Sequence, residues 1–307
     1  SKWFDHVAPP VFIDTAGKYG AGMALEEIGR ALAKFEIPPA DVVISNKLGW
    51  KRSPLQTPEP LFEPDVWMGL AHDAVQRISY EGILECWDEG CRLLGGDYKP
   101  RLASVHDPDE YLAAASSPDD RRRRFDDILD AYRALGELKL RGEVAGVGVG
   151  AKDWRSIQEI DAAVPLDWVM LANSFTIMRH PPELIEFMRV LAARNIPIIN
   201  SAVFHAGFLV GGRFFDYRVV SPENPADRPL FAWRKSFVAL CEAHGVSPMH
   251  ACVQFGMRGP GVVAVALNTS HADRVGDNVA AVLKSVPPQF WASLQEEGLI
   301  ADIPANL

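Results

Sequence analysis

Three polar residues stand at the ends of apolar runs in this sequence: Asp14 closes VFID, Lys47 closes VVISNK and His106 closes LASVH. Tyr19 follows Asp14 by five residues, inside the glycine-rich turn GKYGAG. Taken singly, each has a plain explanation. An Asp at a strand end is a turn former or helix cap, a Lys there reaches solvent, and a lone His is most often a hydrogen-bonded structural residue. As a set, Asp, Tyr, Lys and His at the same end of three strands can converge on one point. A tyrosine phenol has an ordinary pKa of about 10, so near neutral pH roughly one molecule in a thousand is ionised. A proton-transfer group works best with a pKa near the working pH. A neighbouring ammonium favours the phenolate and can lower its pKa by about 1–3 units. Lys47 is that cation in this reading, Asp14 keeps it charged and oriented, and His106 hydrogen-bonds the reacting oxygen. Such a set calls for no metal, and hydride chemistry would belong to a cofactor.

Those residues need strands that end together. Seven short runs are nearly continuous in Val, Ile and Leu: 11–16, 42–49, 101–108, 145–151, 167–174, 196–203 and 262–268. Strands buried on both faces of a parallel sheet read this way. Longer amphipathic stretches lie between them, at 24–35, 80–94, 121–140, 181–195, 231–245, 247–257 and 270–285. Strand–helix alternation predicts an α/β fold with helices outside a parallel sheet. The 307 residues suit one barrel domain over 1–307, since α/β barrels run to about 250 residues or more as a unit. A closed (β/α)8 TIM barrel needs eight strands, and seven are countable. KWFDHVAPP reads as the end of a helix entering the first strand, so the expectation is a β/α unit missing or trimmed before Ser1. An open barrel would leave two strand edges unpaired.

Composition bounds the partners. A net charge of −9 argues against a nucleic-acid or anionic-membrane surface, because both need a basic face. No apolar run approaches the roughly 20 residues of a membrane span, and no signal-peptide pattern is visible. Cys86 and Cys91 have no zinc-site spacing, so the four cysteines fit reduced thiols in a cytoplasmic protein. Oligomeric state is left open. Residues 50–79 and 204–230 are too long for simple connections and follow strand ends, where barrel enzymes build their sites. Trp50 and Trp67 in the first, with Phe204 in the second, are candidate walls for a small-molecule substrate; His205 and Asp216 are candidate polar contacts.

DTAGKYGAG (14–22) followed by EEIGRAL (26–32), the lysine strand VVISNKLG and the histidine strand LASVHDPDEY resemble the aldo-keto reductase family over nearly the whole chain. The HDPD run and the long segment after the lysine strand look most like that family's aldose 1-dehydrogenases, including L-fucose, D-threo-aldose, L-galactose and pyridoxal dehydrogenases. The resemblance implies Asp14, Tyr19, Lys47 and His106 as the catalytic set and a nicotinamide cofactor. It puts the adenosine phosphate beside ALNTSHADRVGDN (266–278), at Asn268, Thr269, Arg274 and Asn278, where a helix start presents free N–H groups to an anion. Asn268 stands where NADPH-preferring members often carry a lysine, which implies NAD, with NADP possible through Arg274. Asn173, Ser201 and Phe204 fall near the nicotinamide positions, and His205 would face the mouth. The family's Ser-Asn after the GVGV strand reads Gly150-Ala151 here. The implied reaction is oxidation of an aldose at C1 to the lactone. The alternatives are NADPH-dependent reduction of an aldehyde or ketone, or a cofactor-sensing binding subunit, which the intact tetrad argues against.

Overall fold

A computed structural model of the chain describes residues 2–64 and 66–301. The chain divides into two compact units, Ser1–Ala151 with Arg155–Val169 and Lys152–Trp154 with Met170–Leu307.

The first unit runs α1 (Lys2–His6), β1 (Val11–Ala16), α2 (Met23–Lys34), β2 (Val42–Leu48), β3 (Trp50–Pro54), β4 (His72–Gln76), α3 (Tyr80–Leu94), β5 (Leu102–His106), α4 (Pro108–Ala113), α5 (Pro118–Leu140) and β6 (Gly146–Ala151). Helix α6 (Trp154–Asp161) and strand β7 (Trp168–Ala172) each straddle the division. Strands β1, β2, β5 and β6 are parallel neighbours in that order. The register pairs Ala16 with Lys47, Lys47 with Ser104 and His106 with Gly150, so the polar ends of three strands share one edge of the sheet. Local signals set the helix starts. The Ser79 hydroxyl accepts from the Gly82 N–H at the head of α3, and the Ser117 hydroxyl accepts from the Asp120 N–H at the head of α5; Ser is a favoured cap because it satisfies an otherwise orphaned donor.

Segment 50–79 is not a plain loop. Strands β3 and β4 form an antiparallel hairpin, with Trp50 opposite Gln76 and Pro54 opposite His72. Its long connection is organised by buried Asp73, whose carboxylate accepts the N–H groups of Leu61, Phe62 and Ala74.

Gly148 of GVGVG serves packing. A Cβ on Gly148 would lie 2.3 Å from the Trp168 ring, which is buried. The indole thus fills the space that a side chain on β6 would need. Gly148→Ala should destabilise by about 1–3 kcal/mol through overpacking. Urea denaturation checks this, and a smaller residue at 168 should recover part of the loss in a Gly148→Ala/Trp168→Leu double variant.

The second unit holds the rest of β7, α7 (Pro182–Ala193), β8 (Ile198–Ser201), β9 (Phe214–Phe215), β10 (Arg218–Val219), α8 (Arg228–Ala243), α9 (Pro248–Gly256), β11 (Val262–Ala266), α10 (Val275–Leu283) and α11 (Pro288–Glu296). Strand β8 lies beside β7 and pairs in parallel with β11. Strands β9 and β10 form a short antiparallel ribbon inside segment 204–230. The fully buried rings Phe175 and Phe255 stack at 5.3 Å within the core of this unit. All seven sequence-predicted runs are strands, and the α/β class stands. No helix among the described residues is long and apolar enough to cross a membrane.

Candidate active site

The four predicted catalytic residues lie together in the first unit. Strand β1 ends two residues beyond Asp14, and the next turn passes through Gly20, Ala21 and Gly22 with positive φ at each. Two of the three are glycine, which adopts that region without strain. The turn closes with the Tyr19 N–H on the Ala16 carbonyl and the Ala24 N–H on the Tyr19 carbonyl, which sends the Tyr19 ring back over the strand ends. Buried Lys47 donates to the Asp14 carboxylate and reaches the Thr15 carbonyl at 3.4 Å. Its ammonium lies 4.9 Å from the Tyr19 ring centroid. The His106 ring meets the Tyr19 ring edge-on, centroids 5.4 Å apart, and His106 Nε2 lies 3.6 Å from an Asp107 carboxylate oxygen.

The electrostatics differ from the expectation in one respect. Burial pushes the Tyr19 phenol upward, the Lys47 ammonium pulls the other way, and Asp14 adds to the rise, so the net displacement is up rather than down. Burial likewise pulls the Lys47 ammonium down, but Asp14 and Tyr19 together pull the other way and the net pKa is raised. A phenol held protonated beside a cation held charged is poised to donate a proton. It can accept one only because the same cation stabilises the phenolate.

Trp50 and Trp67 belong to one aromatic row: Trp50 meets Phe62 at 6.2 Å, and Phe62 stacks on Trp67 at 6.5 Å. Trp50 and Phe62 also line a cavity of about 430 Å³ with Leu61 and Val75. The sequence reading missed two cations here. Lys18, next to Tyr19, is buried and touches Glu63, Asp107 and Glu110. Arg52, on β3, donates to the Ala21 carbonyl at 2.8 Å and to Glu26 at 2.9 Å. The only sequence signal for either was its position, beside the tyrosine or inside the long insertion.

The remaining candidates lie in the second unit. Asn173 has positive φ, and its backbone N–H donates to the Ser201 carbonyl at 3.2 Å. Its buried side-chain oxygen finds no partner among the described residues. Such an orphaned acceptor fits the carboxamide of a nicotinamide, because burying it unsatisfied is costly. Ser201 donates to the Leu171 carbonyl at 3.1 Å, and Phe204 is half-buried. Asn268 is exposed, Thr269 bonds the backbone of His271, exposed Arg274 stands at the head of α10, and Asn278 lies in its first turn. His205 does not face a mouth as expected. It is fully buried, with Nε2 2.7 Å from the Thr176 hydroxyl and Nδ1 2.6 Å from Asp216, while its ring stacks on Phe215. Both nitrogens are thus engaged, and Asp216 is in turn paired to Arg179 at 3.1 Å.

The chain matches the Aldo/keto reductase family over residues 10–297. It belongs to that family. A pyridoxal 4-dehydrogenase from Microbacterium luteolum is 26% identical over 301 residues, spanning 94% of this chain and 84% of that protein. An L-galactose dehydrogenase from Arabidopsis thaliana is 20% identical over 273 residues, spanning 88% and 73%. Among solved structures, the holo form of an aldo-keto reductase from Bacillus halodurans superposes with a TM-score of 0.65 at 20% identity, covering 94% of this chain and 82% of that one. This aldo-keto reductase therefore has the family's (β/α)8 barrel fold. It is an oxidoreductase that works with a nicotinamide cofactor, NAD(H) or NADP(H).

Proposed function

We propose that this aldo-keto reductase oxidises an aldose, of the pentose or 6-deoxyhexose kind, at its anomeric carbon. Tyr19 would take the proton of the C1 hydroxyl, the nicotinamide would serve as acceptor for the hydride on C1, and the product would be the lactone. The observation that carries this reading is the buried Lys47–Asp14 pair against Tyr19, with His106 edge-on to the same ring. Bound NAD supplies the hydride acceptor. Asn173 and Ser201 would hold its nicotinamide end, and Asn268, Thr269, Arg274 and Asn278 its adenosine phosphate. The protein's own part is acid–base. Lys47 stabilises the phenolate form of Tyr19 that accepts the proton, Asp14 fixes Lys47, and His106 orients the hydroxyl oxygen. The aromatic row of Trp50 and Trp67 offers faces to a sugar ring. Two similar proteins are named as dehydrogenases, one of pyridoxal and one of L-galactose, which supports the oxidative direction. Four free thiols suit a cytoplasmic setting.

A second reading has its own observation. The raised Tyr19 pKa favours proton donation, which is the step needed to reduce an aldehyde. Initial rates with NAD and NADP across L-fucose, D-arabinose, L-galactose and pyridoxal, beside reduction of a small aromatic aldehyde with NADPH, separate the two. The expected result is NAD-linked aldose oxidation with kcat/KM at least about 10-fold above any other reaction, as a site built around sugar hydroxyls discriminates strongly. NAD should exceed NADP, since Asn268 in place of a lysine forgoes a charge-assisted bond to a 2′-phosphate, about 10-fold or more in affinity. The aldose reading fails if no sugar yields NADH while the aldehyde is reduced efficiently.

A further inference from the structure

Lys18 sits in the glycine-rich turn beside Tyr19, yet it is almost fully buried. A lysine in a turn ordinarily extends into water, and burying its ammonium is costly unless carboxylates surround it. Here three do. Glu63 lies at 2.9 Å, Asp107 at 3.1 Å and Glu110 at 3.1 Å. They come from two other segments, the β3–β4 connection and the residues after β5. The Trp50 ring lies 5.0 Å from the same ammonium.

The carboxylates lead to different parts of the site. Glu63 accepts the Trp67 indole N–H at 2.7 Å and directly follows Phe62, the ring on which Trp67 stacks. Asp107 directly follows His106 and faces its Nε2. Glu63 and Asp107 both have φ of 47°, a left-handed backbone that a non-glycine residue holds only when its surroundings fix it. Lys18 is the group on which both carboxylates converge. We propose that Lys18 is a positioning residue, which sets the aromatic substrate wall of Trp50, Phe62 and Trp67 against the Tyr19–His106 pair by gathering Glu63, Asp107 and Glu110 onto one ammonium. Calling that wall a substrate wall rests on the function proposed above.

The physical consequence is directional. Without the ammonium, the three carboxylates repel one another. Glu63 and Glu110 are partly exposed, so they can turn to water, whereas Asp107 is buried and cannot. The Glu63 arm therefore lets go first and releases Trp67 and Phe62. Asp14, Lys47 and Tyr19 keep their own contacts. The loss falls on substrate capture more than on proton transfer.

The test compares Lys18→Met, Lys18→Arg and Glu63→Gln in the full chain. Hydrogen exchange of the backbone amides of residues 55–64, followed by mass spectrometry on the protein without substrate, reads the wall directly. Exchange should accelerate about 10-fold in Lys18→Met, the scale of a lost charged hydrogen bond, and less in Glu63→Gln, with Lys18→Arg near wild type. For L-fucose oxidation with NAD, KM should rise about 10-fold in Lys18→Met, with kcat changed far less and NADH affinity by fluorescence titration unchanged. Unaltered exchange and KM in Lys18→Met overturn the proposal. So does a drop in kcat alone, and so does exchange accelerated equally across the first unit, which would mark general destabilisation. If L-fucose is not a substrate, the exchange experiment still decides the role of Lys18, and only the aldose reading is lost.

Discussion

Tyr19→Phe should lower turnover by at least about 100-fold, since general acid–base catalysis contributes roughly 10²–10⁴-fold. The Tyr19 ring meets both the Lys47 ammonium, at 4.9 Å from its centroid, and the edge of the His106 ring. The substitution keeps the ring, so the edge-on contact with His106 and the backbone bonds of the turn survive. The buried ammonium still has Asp14, so the pair that anchors it is not broken. Folding should therefore change little, and the cofactor, held by residues of the second unit in this reading, should bind with near-normal affinity. Steady-state rates with fluorescence titration of NADH check both halves. A Tyr19→Phe protein that turns over like wild type would mean that the proton travels by another route.

Lys47→Met should damage both activity and stability. Removing one partner of a buried ion pair costs about 3–5 kcal/mol when the other charge is left behind. Asp14 retains some access to water, which places this case near the lower end. Burial lowers the Lys47 pKa, but Asp14 and Tyr19 together raise it further, and the net displacement is up. A cation of this kind stabilises the fold fully below the ordinary lysine pKa of about 10.4 and loses that contribution only as pH climbs through the higher folded value. The deficit of the variant should thus be flat from roughly pH 6 to 9. Activity should fall at least as far as in Tyr19→Phe, because the phenolate loses the charge that makes it accessible. Adding Asp14→Asn to Lys47→Met should recover part of the stability and none of the turnover. Recovery of turnover in that double variant would show that the ammonium is dispensable.

Sequence reading found what local chemistry controls. The runs around Asp14, Lys47 and His106 became strands within a residue or two of their expected ends, because strands covered on both faces are continuous in hydrophobicity. Helix 80–94 was legible to the residue because a serine cap opens it and Gly95 closes it. Features set by distant partners were not legible. Lys18 meets Asp107 and Glu110 across separations of 89 and 92 residues, and nothing near Lys18 in the sequence announces a buried lysine. The β3–β4 hairpin escaped because its strands are polar, WKRSP and HDAVQ, and lie far apart in sequence. His205 was misjudged for the same kind of reason. Its neighbours in sequence said loop, whereas Thr176 and Asp216 decide where the ring goes.

Arg52 gives the hairpin a meaning for anyone who would re-engineer this enzyme. It belongs to the insertion that varies most freely in barrels of this kind, the stretch beyond a strand's C-terminal end. Yet its guanidinium donates to the Ala21 carbonyl and Glu26, and its backbone N–H donates to the carboxylate of Glu89 on α3. The insertion is therefore spliced into the scaffold that aims the tyrosine. If residues 50–79 wall the substrate and Tyr19 is the acid–base residue, as proposed above, a graft that exchanged this segment for another enzyme's loop would import a new preference and loosen Tyr19 in the same stroke. Modularity would then fail at this joint: choice of substrate and speed of reaction would be inherited together, and a successful transplant would carry the tyrosine turn along with the loop.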